Sequence, residues 1–293
     1  MKAKQLSSTA CELFYTRNEP IKLLLISDVH IDNPKCNRDL LFEHLNRAKK
    51  LGAKVLVNGD LFCLMQGKYD PRRSKKDVRP EHNVSNYLDA VIEDTVNLLS
   101  PYADIIAFVG EGNHESAILK NVETDILTRF VERFNERNKV NVIRGGYKGW
   151  IIIRKTNTLE QTRGASMTYK IYHHHGYGGG APQTYGTIQH SHTRKYIGNA
   201  DCIWMGHTHS CYIVPTESEI FDTNPSAYRP KLQTVYNVRT SAYKEEFADC
   251  AGGWHIERGG EPKSLGGIFC EITTLRPEKR YKFYAEYTPW IKQ

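Results

Sequence analysis

The stretch Ile21-Lys22-Leu23-Leu24-Leu25-Ile26-Ser27-Asp28-Val29-His30 changes character at Ser27. The nearly continuous apolar run before it suits a short strand buried on both faces of a sheet. An Asp and a His two apart follow at once. The same succession recurs along the chain. Ala53 to Val57 reads as a second buried strand and ends in Gly59-Asp60, and Asp104 to Val109 reads as a third and ends in Gly112-Asn113-His114-Glu115. Met167 to His173 runs into His173-His174-His175-Gly176, and Cys202 to Met205 runs into Gly206-His207-Thr208-His209. Open α/β sheets gather their active sites at strand ends, where the loops converge on one edge.

Helical spacing fills the intervals. Leu40, Leu41, Leu45 and Ala48 predict a helix over Arg38 to Leu51, stopped by Gly52; further helices are expected over Val84 to Leu99 and Val122 to Phe134. Strand–helix alternation of this kind predicts a mostly parallel sheet with helices outside. Beyond Asn141 the rhythm changes. Trp150 to Arg154 and Met167 to His173 read as antiparallel strands around a polar loop. Gln233 to Val238, Gly267 to Ile272 and Arg280 to Tyr287 read as later strands. We expect an N-terminal extension of unclear structure (1–20), then a single domain (21–293) with an α/β half (21–140) and a β-rich half (141–293) sharing one core.

Bulk composition sets wide limits. With 40% hydrophobic and 25% charged residues in 293, the chain can bury a real core and lacks the composition of a disordered one. A formal net charge of +7 is compatible with an anionic substrate, nucleic acid included. The seven cysteines are scattered, with no C-x-x-C pair, which argues for reduced thiols and a cytoplasmic location. Residues Met1 to Pro20 carry no apolar signal core, and no run is long enough to span a membrane.

The residue types add up to metal chemistry. Asp, His and Asn supply oxygen and imidazole ligands that suit Mn²⁺ first, with Fe, Zn²⁺, Ni²⁺ or Mg²⁺ as alternatives, and no thiolate is required. In an extended segment the spacings Asp28-x-His30 and His207-x-His209 put each pair on one face. Of the three consecutive histidines, His173 and His175 would share a face, leaving His174 on the other.

The ordered set D-x-H, G-D, G-N-H-E, H-G and G-H-x-H resembles the motif set of the calcineurin-like metallophosphoesterases, and covers roughly residues 21–210. The resemblance implies a four-layer α/β sandwich, two mixed β-sheets packed together and flanked by helices. It also implies two divalent metal ions. Asp28, His30 and His209 would hold one; Asn113, His175 and His207 would hold the other; the Asp60 carboxylate would bridge them and so belong to the catalytic set. The family pattern favours the His directly before Gly, hence His175, with His173 and His174 left as packing or supporting residues. His114 would be catalytic, facing substrate to stabilise the transition state or protonate the leaving oxygen.

Departures from subfamily patterns narrow the substrate. Protein Ser/Thr phosphatases continue Gly-Asp with an Asp-Arg pair, whereas Leu61-Phe62-Cys63-Leu64 stands here. Purple acid phosphatases place Tyr where Cys63 stands. Gly-Asp-Leu-Phe, Ser-Asp-Val-His and Gly-His-Thr-His are similar to the recombination nucleases of the SbcD type, though that group often has His at the Cys63 position. The leading substrate is therefore a phosphodiester in DNA. The alternatives are a small-molecule phosphodiesterase, nucleotidase or phosphomonoesterase, and a metal-binding scaffold without catalysis. No membrane is implicated, and the sequence names no protein partner.

Bland roles are expected for the remaining polar residues: Glu115 as a helix cap or turn organiser, Asp32 as a polar loop residue, Cys63 as a buried thiol, and His190 and His192 as solvent-facing. The segment Lys68 to His82, net +3 from six basic and three acidic residues, is either a phosphate contact or a solvated loop.

Overall fold

The computed structural model of the chain describes residues 2–16, 20–64, 77–156, 167–179, 183–222, 228–247, 260–275 and 282–292. Two mixed sheets stack face to face. The six-stranded sheet runs β13-β12-β3-β4-β5-β6, with β3 Ile21–Ile26, β4 Lys54–Asn58, β5 Ile106–Gly110, β6 Ile143–Arg144, β12 Gly266–Leu275 and β13 Lys282–Ile291. The seven-stranded sheet runs β1-β2-β7-β8-β9-β11-β10, with β1 Lys2–Ser7, β2 Ala10–Thr16, β7 Lys148–Thr156, β8 Met167–His174, β9 Cys202–Met205, β10 Tyr212–Asp222 and β11 Arg229–Arg239. Strands β3, β4, β5 and β6 are parallel neighbours, as are β8, β9 and β11.

The apolar run that opens the reading does what its composition demands. Ile21, Leu23 and Leu25 face the second sheet and share a core with Leu56, Phe108 and Ile268 of their own sheet and with Ile151, Ile171 and Trp204 of the other. Leu24 and Ile26 face the other way, into a core with Leu41 and Leu45 of α1 (Arg38–Leu51), Val91 and Val96 of α2 (Tyr87–Leu99), and Phe130 and Phe134 of α4 (Ile126–Asn138). Each such side chain contributes about 1.5–3 kcal/mol on leaving water. On the far face of the seven-stranded sheet, Tyr172, Ile203, Met205 and Val235 pack with Ile197 and Ala200, which follow α5 (Thr187–Arg194). The order is thus helices, sheet, sheet, helix. Among the described residues no helix is long and apolar enough to cross a membrane.

Helix α1 has the expected bounds: the Asn37 side chain accepts from the Leu40 amide at 3.0 Å, and Gly52 closes the helix at φ +69°. Elsewhere the structure corrects the reading. The helix expected over Val122 to Phe134 starts later, as α4 at Ile126, where Asp125 caps the Thr128 amide at 2.9 Å; a separate helix, α3 (Asn113–Val122), precedes it and ends where Glu123 turns left-handed. Within the extension left without a structural assignment, Lys2 to Thr16 form two strands. They form a hairpin whose β2 runs parallel to β7 and is buried without a break from Cys11 to Tyr15. Helix α5 was not expected.

Candidate metal centre

Five strand ends deliver the candidate residues to one place. Asp28 follows β3, Asp60 follows β4, Asn113 opens α3 after β5, His175 follows β8 and His207 follows β9. Both sheets therefore contribute. The ligand atoms of Asp28, His30 and His209 lie within 4.8 Å of one another, as do those of Asp60, His175 and His207. Asn113 Oδ1 joins the second group, 2.7 Å from His207 Nδ1 and 3.0 Å from His175 Nε2. The groups touch: His175 Nε2 stands 3.3 Å from Asp60 Oδ2 and 3.9 Å from Asp28 Oδ1.

Convergence does not come from extended backbone, as the two-residue spacing suggested. Asp28, His30, Asp60, His207 and His209 all have left-handed backbones, with φ of +51°, +51°, +50°, +72° and +56°. Non-glycine residues rarely adopt that region, at about 1–3 kcal/mol each, and they do so mainly where surrounding structure forces them. Tight turns, not strand alternation, aim these side chains inward. Two glycines make room. Gly59 sits at φ +79° with a prospective Cβ against the His175 ring, and a Cβ on Gly206 would come 2.6 Å from Asp28 Oδ2.

Electrostatics favour cations here. Asp28, Asp60, His30 and His175 are all buried. Burial alone would raise Asp60, but the imidazoles of His175 and His114 hold it well below the usual carboxylate range. Burial would lower His175, yet the Asp60 and Asp28 carboxylates outweigh it and raise its pKa to about 10. Two buried carboxylates so placed call for positive charge between them. His30 is the clearest fit to a metal: both ring nitrogens are buried without a hydrogen-bond partner among the described residues, and burial with the nearby His114 holds it neutral. An orphaned neutral imidazole beside a carboxylate is a ligand in waiting.

Supporting contacts fix the ligands. His175 Nδ1–H donates to the Asn58 carbonyl at 2.8 Å, leaving Nε2 for the centre. The Asn58 side chain donates to the His174 and Trp204 carbonyls at 3.1 and 3.2 Å, stitching the two sheets together directly beneath the site. Asn58 escaped the sequence reading, although it immediately precedes Gly59-Asp60 at the end of an apolar run. His173 lies between the sheets, edge-on to Phe108, and His174 Nδ1 accepts from the Gly176 amide at 3.0 Å. Only His175 of the three joins the cluster.

His114 is oriented from the opposite side. Its Nδ1 donates to the Cys63 carbonyl, and its Nε2 stands 3.9 Å from Asp60 Oδ2. Cys63 is a buried thiol that accepts from Asn33 Nδ2 at 3.1 Å, and burial pushes its pKa up. Its sulfur lies within 4.8 Å of ring nitrogens of His30 and His114.

Two further expectations change. Asp32 is no loose loop residue: it is buried, accepts from the Cys63 and Leu64 amides, and receives the Tyr87 hydroxyl at 3.2 Å. It thereby ties the Asp28 loop to the Asp60 loop. His190 is buried rather than solvent-facing, with Nε2 3.2 Å from the Ile203 and Val238 carbonyls. His192 is exposed. Residues 65–76, most of the basic segment, lie outside the described residues. Of the rest, Arg79 is half-buried, its guanidinium 3.4 Å from the Cys36 carbonyl and 4.0 Å from Glu81.

Glu115 caps, as expected. Its carboxylate accepts from the amides of Gly112, Phe62 and Asp60 at 2.9, 3.0 and 3.1 Å. Each buried N–H left without an acceptor costs about 1–3 kcal/mol, so Glu115→Ala should lose at least about 3 kcal/mol in urea unfolding. Glu115→Gln, which keeps one acceptor oxygen, should lose less. A loss under about 1 kcal/mol for the alanine variant would mean that the cap does not hold these amides.

The structure is similar to vacuolar protein sorting 29 from Cryptosporidium parvum, at 14% identity over 92% of this chain and 99% of that one, with a TM-score of 0.34. It is also similar to a single mutant of Vps29 from Entamoeba histolytica, at 11% identity over 92% and 99%, with a TM-score of 0.36. No curated protein matches. The calcineurin-like phosphoesterase model matches residues 21–211, all five strand-end clusters included, and the chain belongs to that family.

Proposed function

We propose that this chain is a metal-dependent phosphoester hydrolase that uses two divalent cations to cleave phosphodiesters, with nucleic acid as its substrate class. One observation carries the proposal: seven side chains with metal-binding atoms, from both sheets, meet at one point, and the ring nitrogens of one of them, His30, have no hydrogen-bond partner among the described residues. Asp28, His30 and His209 would hold one cation and Asn113, His175 and His207 the other, with Asp60 shared. Oxygen and imidazole donors in this mixture suit Mn²⁺. Cations so held lower the pKa of water and neutralise charge building on phosphoryl oxygens.

The chain's own groups do the rest. His114, on the first turn of α3 with Nδ1–H committed to the Cys63 carbonyl, keeps Nε2 3.9 Å from Asp60 Oδ2, where it can hold a proton for the leaving oxygen. The +7 net charge and the SbcD-like Gly-Asp-Leu-Phe run support a polyanionic diester. The described cysteines are all free, which fits a cytoplasmic setting.

Elemental analysis after Mn²⁺ loading should give two ions per chain. Turnover with Mn²⁺, compared on bis-p-nitrophenyl phosphate, p-nitrophenyl phosphate and linear DNA, should favour the diesters. A monoester preference would move the assignment to a phosphomonoesterase or nucleotidase. Absence of both metal uptake and hydrolysis would leave only the scaffold.

A further inference from the structure

Arg239, at the end of β11, is fully buried, and none of its acceptors is a carboxylate. Its oxygen acceptors lie on the Gly206–His209 loop, on α5 and on β10. Nη1 donates to the Gly206 carbonyl at 2.9 Å and the Thr208 hydroxyl at 2.7 Å, on either side of His207. Nη2 donates to the Gln189 side-chain oxygen at 2.6 Å and the Gly186 carbonyl at 3.3 Å. Nε donates to the Tyr212 hydroxyl at 3.1 Å. The five N–H groups of the guanidinium thus have five oxygen acceptors, with the Met205 sulfur also 3.4 Å from Nη2, an arrangement that a lysine's three donors cannot reproduce.

Gln189 carries the connection onward. Its Oε1 faces Arg239 and its Nε2 donates to the Tyr177 carbonyl, two residues past His175. Two shorter links finish the bracket: Tyr147 donates to the Gly176 carbonyl at 2.9 Å, and the Gly206 amide donates to the His175 carbonyl at 2.8 Å. The loop bearing His175 and the loop bearing His207 and His209 are therefore joined through one buried cation and one buried amide.

We infer that Arg239 and Gln189 are positioning residues, which hold the His175–Tyr177 and Gly206–His209 loops at the separation two cations require. The inference rests on the metal-centre reading for its purpose, but not for its geometry. Neither residue reaches a ligand atom. Their effect passes through backbone carbonyls and one hydroxyl, and contacts of this supporting kind set metal affinity by roughly 10- to 100-fold.

The test uses the full chain with Gln189→Leu, Arg239→Lys and Arg239→Met. Mn²⁺ affinity is measured by calorimetric titration, and amide hydrogen exchange of residues 175–177 and 206–210 is followed without metal. Gln189→Leu and Arg239→Lys should weaken Mn²⁺ binding roughly 10- to 100-fold and speed exchange in both loops together. A purely structural role would lower the melting temperature while Mn²⁺ affinity stayed within twofold, and that result overturns the inference. If Arg239→Met does not fold, Gln189→Leu still decides, since it leaves the buried arginine its other acceptors. Should the wild-type chain take up no Mn²⁺, the metal reading fails. Exchange then decides the clamp by itself: unchanged protection in both loops would end it as well.

Discussion

Asp60→Asn should leave the fold standing and lower phosphodiester turnover by at least about 10³-fold, the scale of losing one preorganised charge-stabilising group. The Asp60 carboxylate uses both oxygens. Oδ1 accepts from the His114 amide at 2.9 Å, and Oδ2 stands 3.3 Å from His175 Nε2. An asparagine that keeps the first contact turns its NH₂ toward His175, placing a donor where a shared ligand oxygen is needed. One neutral oxygen cannot serve two cations. Both ions should therefore bind more weakly, as elemental analysis at graded Mn²⁺ would read. Packing is preserved because the two side chains are nearly isosteric, so the circular dichroism and melting temperature should change little. Near-normal turnover at saturating Mn²⁺ would remove Asp60 from its bridging role.

His114→Ala should behave differently. Its Nε2 is 3.9 Å from the nearest Asp60 oxygen and its Nδ1 is held by the Cys63 carbonyl; it clusters with His30 and the buried Cys63 thiol and belongs to neither of the two ligand groups proposed. Both cations should remain. A single side chain that donates a proton or stabilises transition-state charge is worth roughly 10²–10⁴ in rate. The loss should be deepest for DNA, whose alkoxide leaving group needs a proton, and shallower for p-nitrophenyl esters, whose phenolate departs without one. Loss of a metal from the variant would make His114 a ligand. Wild-type rates on both substrates would make it a turn residue.

The sequence made the plan of the molecule legible because its strands are buried on both faces and so read as unbroken apolar runs. Leu23 and Leu24 serve different cores, yet both must be apolar, and the sequence shows that directly. The candidate residues were legible because each follows such a run. The route by which they converge was not. Spacing cannot reveal that Asp28 and His30 turn left-handed, since that conformation is imposed by contacts such as Asp28 N–H to the Gly59 carbonyl at 3.1 Å and His30 N–H to the Asp60 carbonyl at 3.1 Å. Asp32, His190 and Arg239 were illegible for a related reason. A polar residue's burial depends on partners far along the chain: 31 residues separate Asp32 from the Cys63 amide, and 33 separate Arg239 from the Gly206 carbonyl. Residues Cys11 to Phe14 were readable in principle, for their apolar character is plain, but the isolated hairpin gave no hint of the strand it would join.

Five left-handed residues at one point have a consequence for how this chain can change. Together their strain is on the order of the entire net stability of a domain. Glycine at any of the five would relax the backbone and abolish the side chain in one step. Selection for stability alone would thus dismantle the centre one residue at a time. The double-sheet core beneath it, with an apolar layer on each face of the six-stranded sheet, sets how much of that strain the molecule can carry and still fold. Thinning that core would leave the chain a choice between its shape and its histidines.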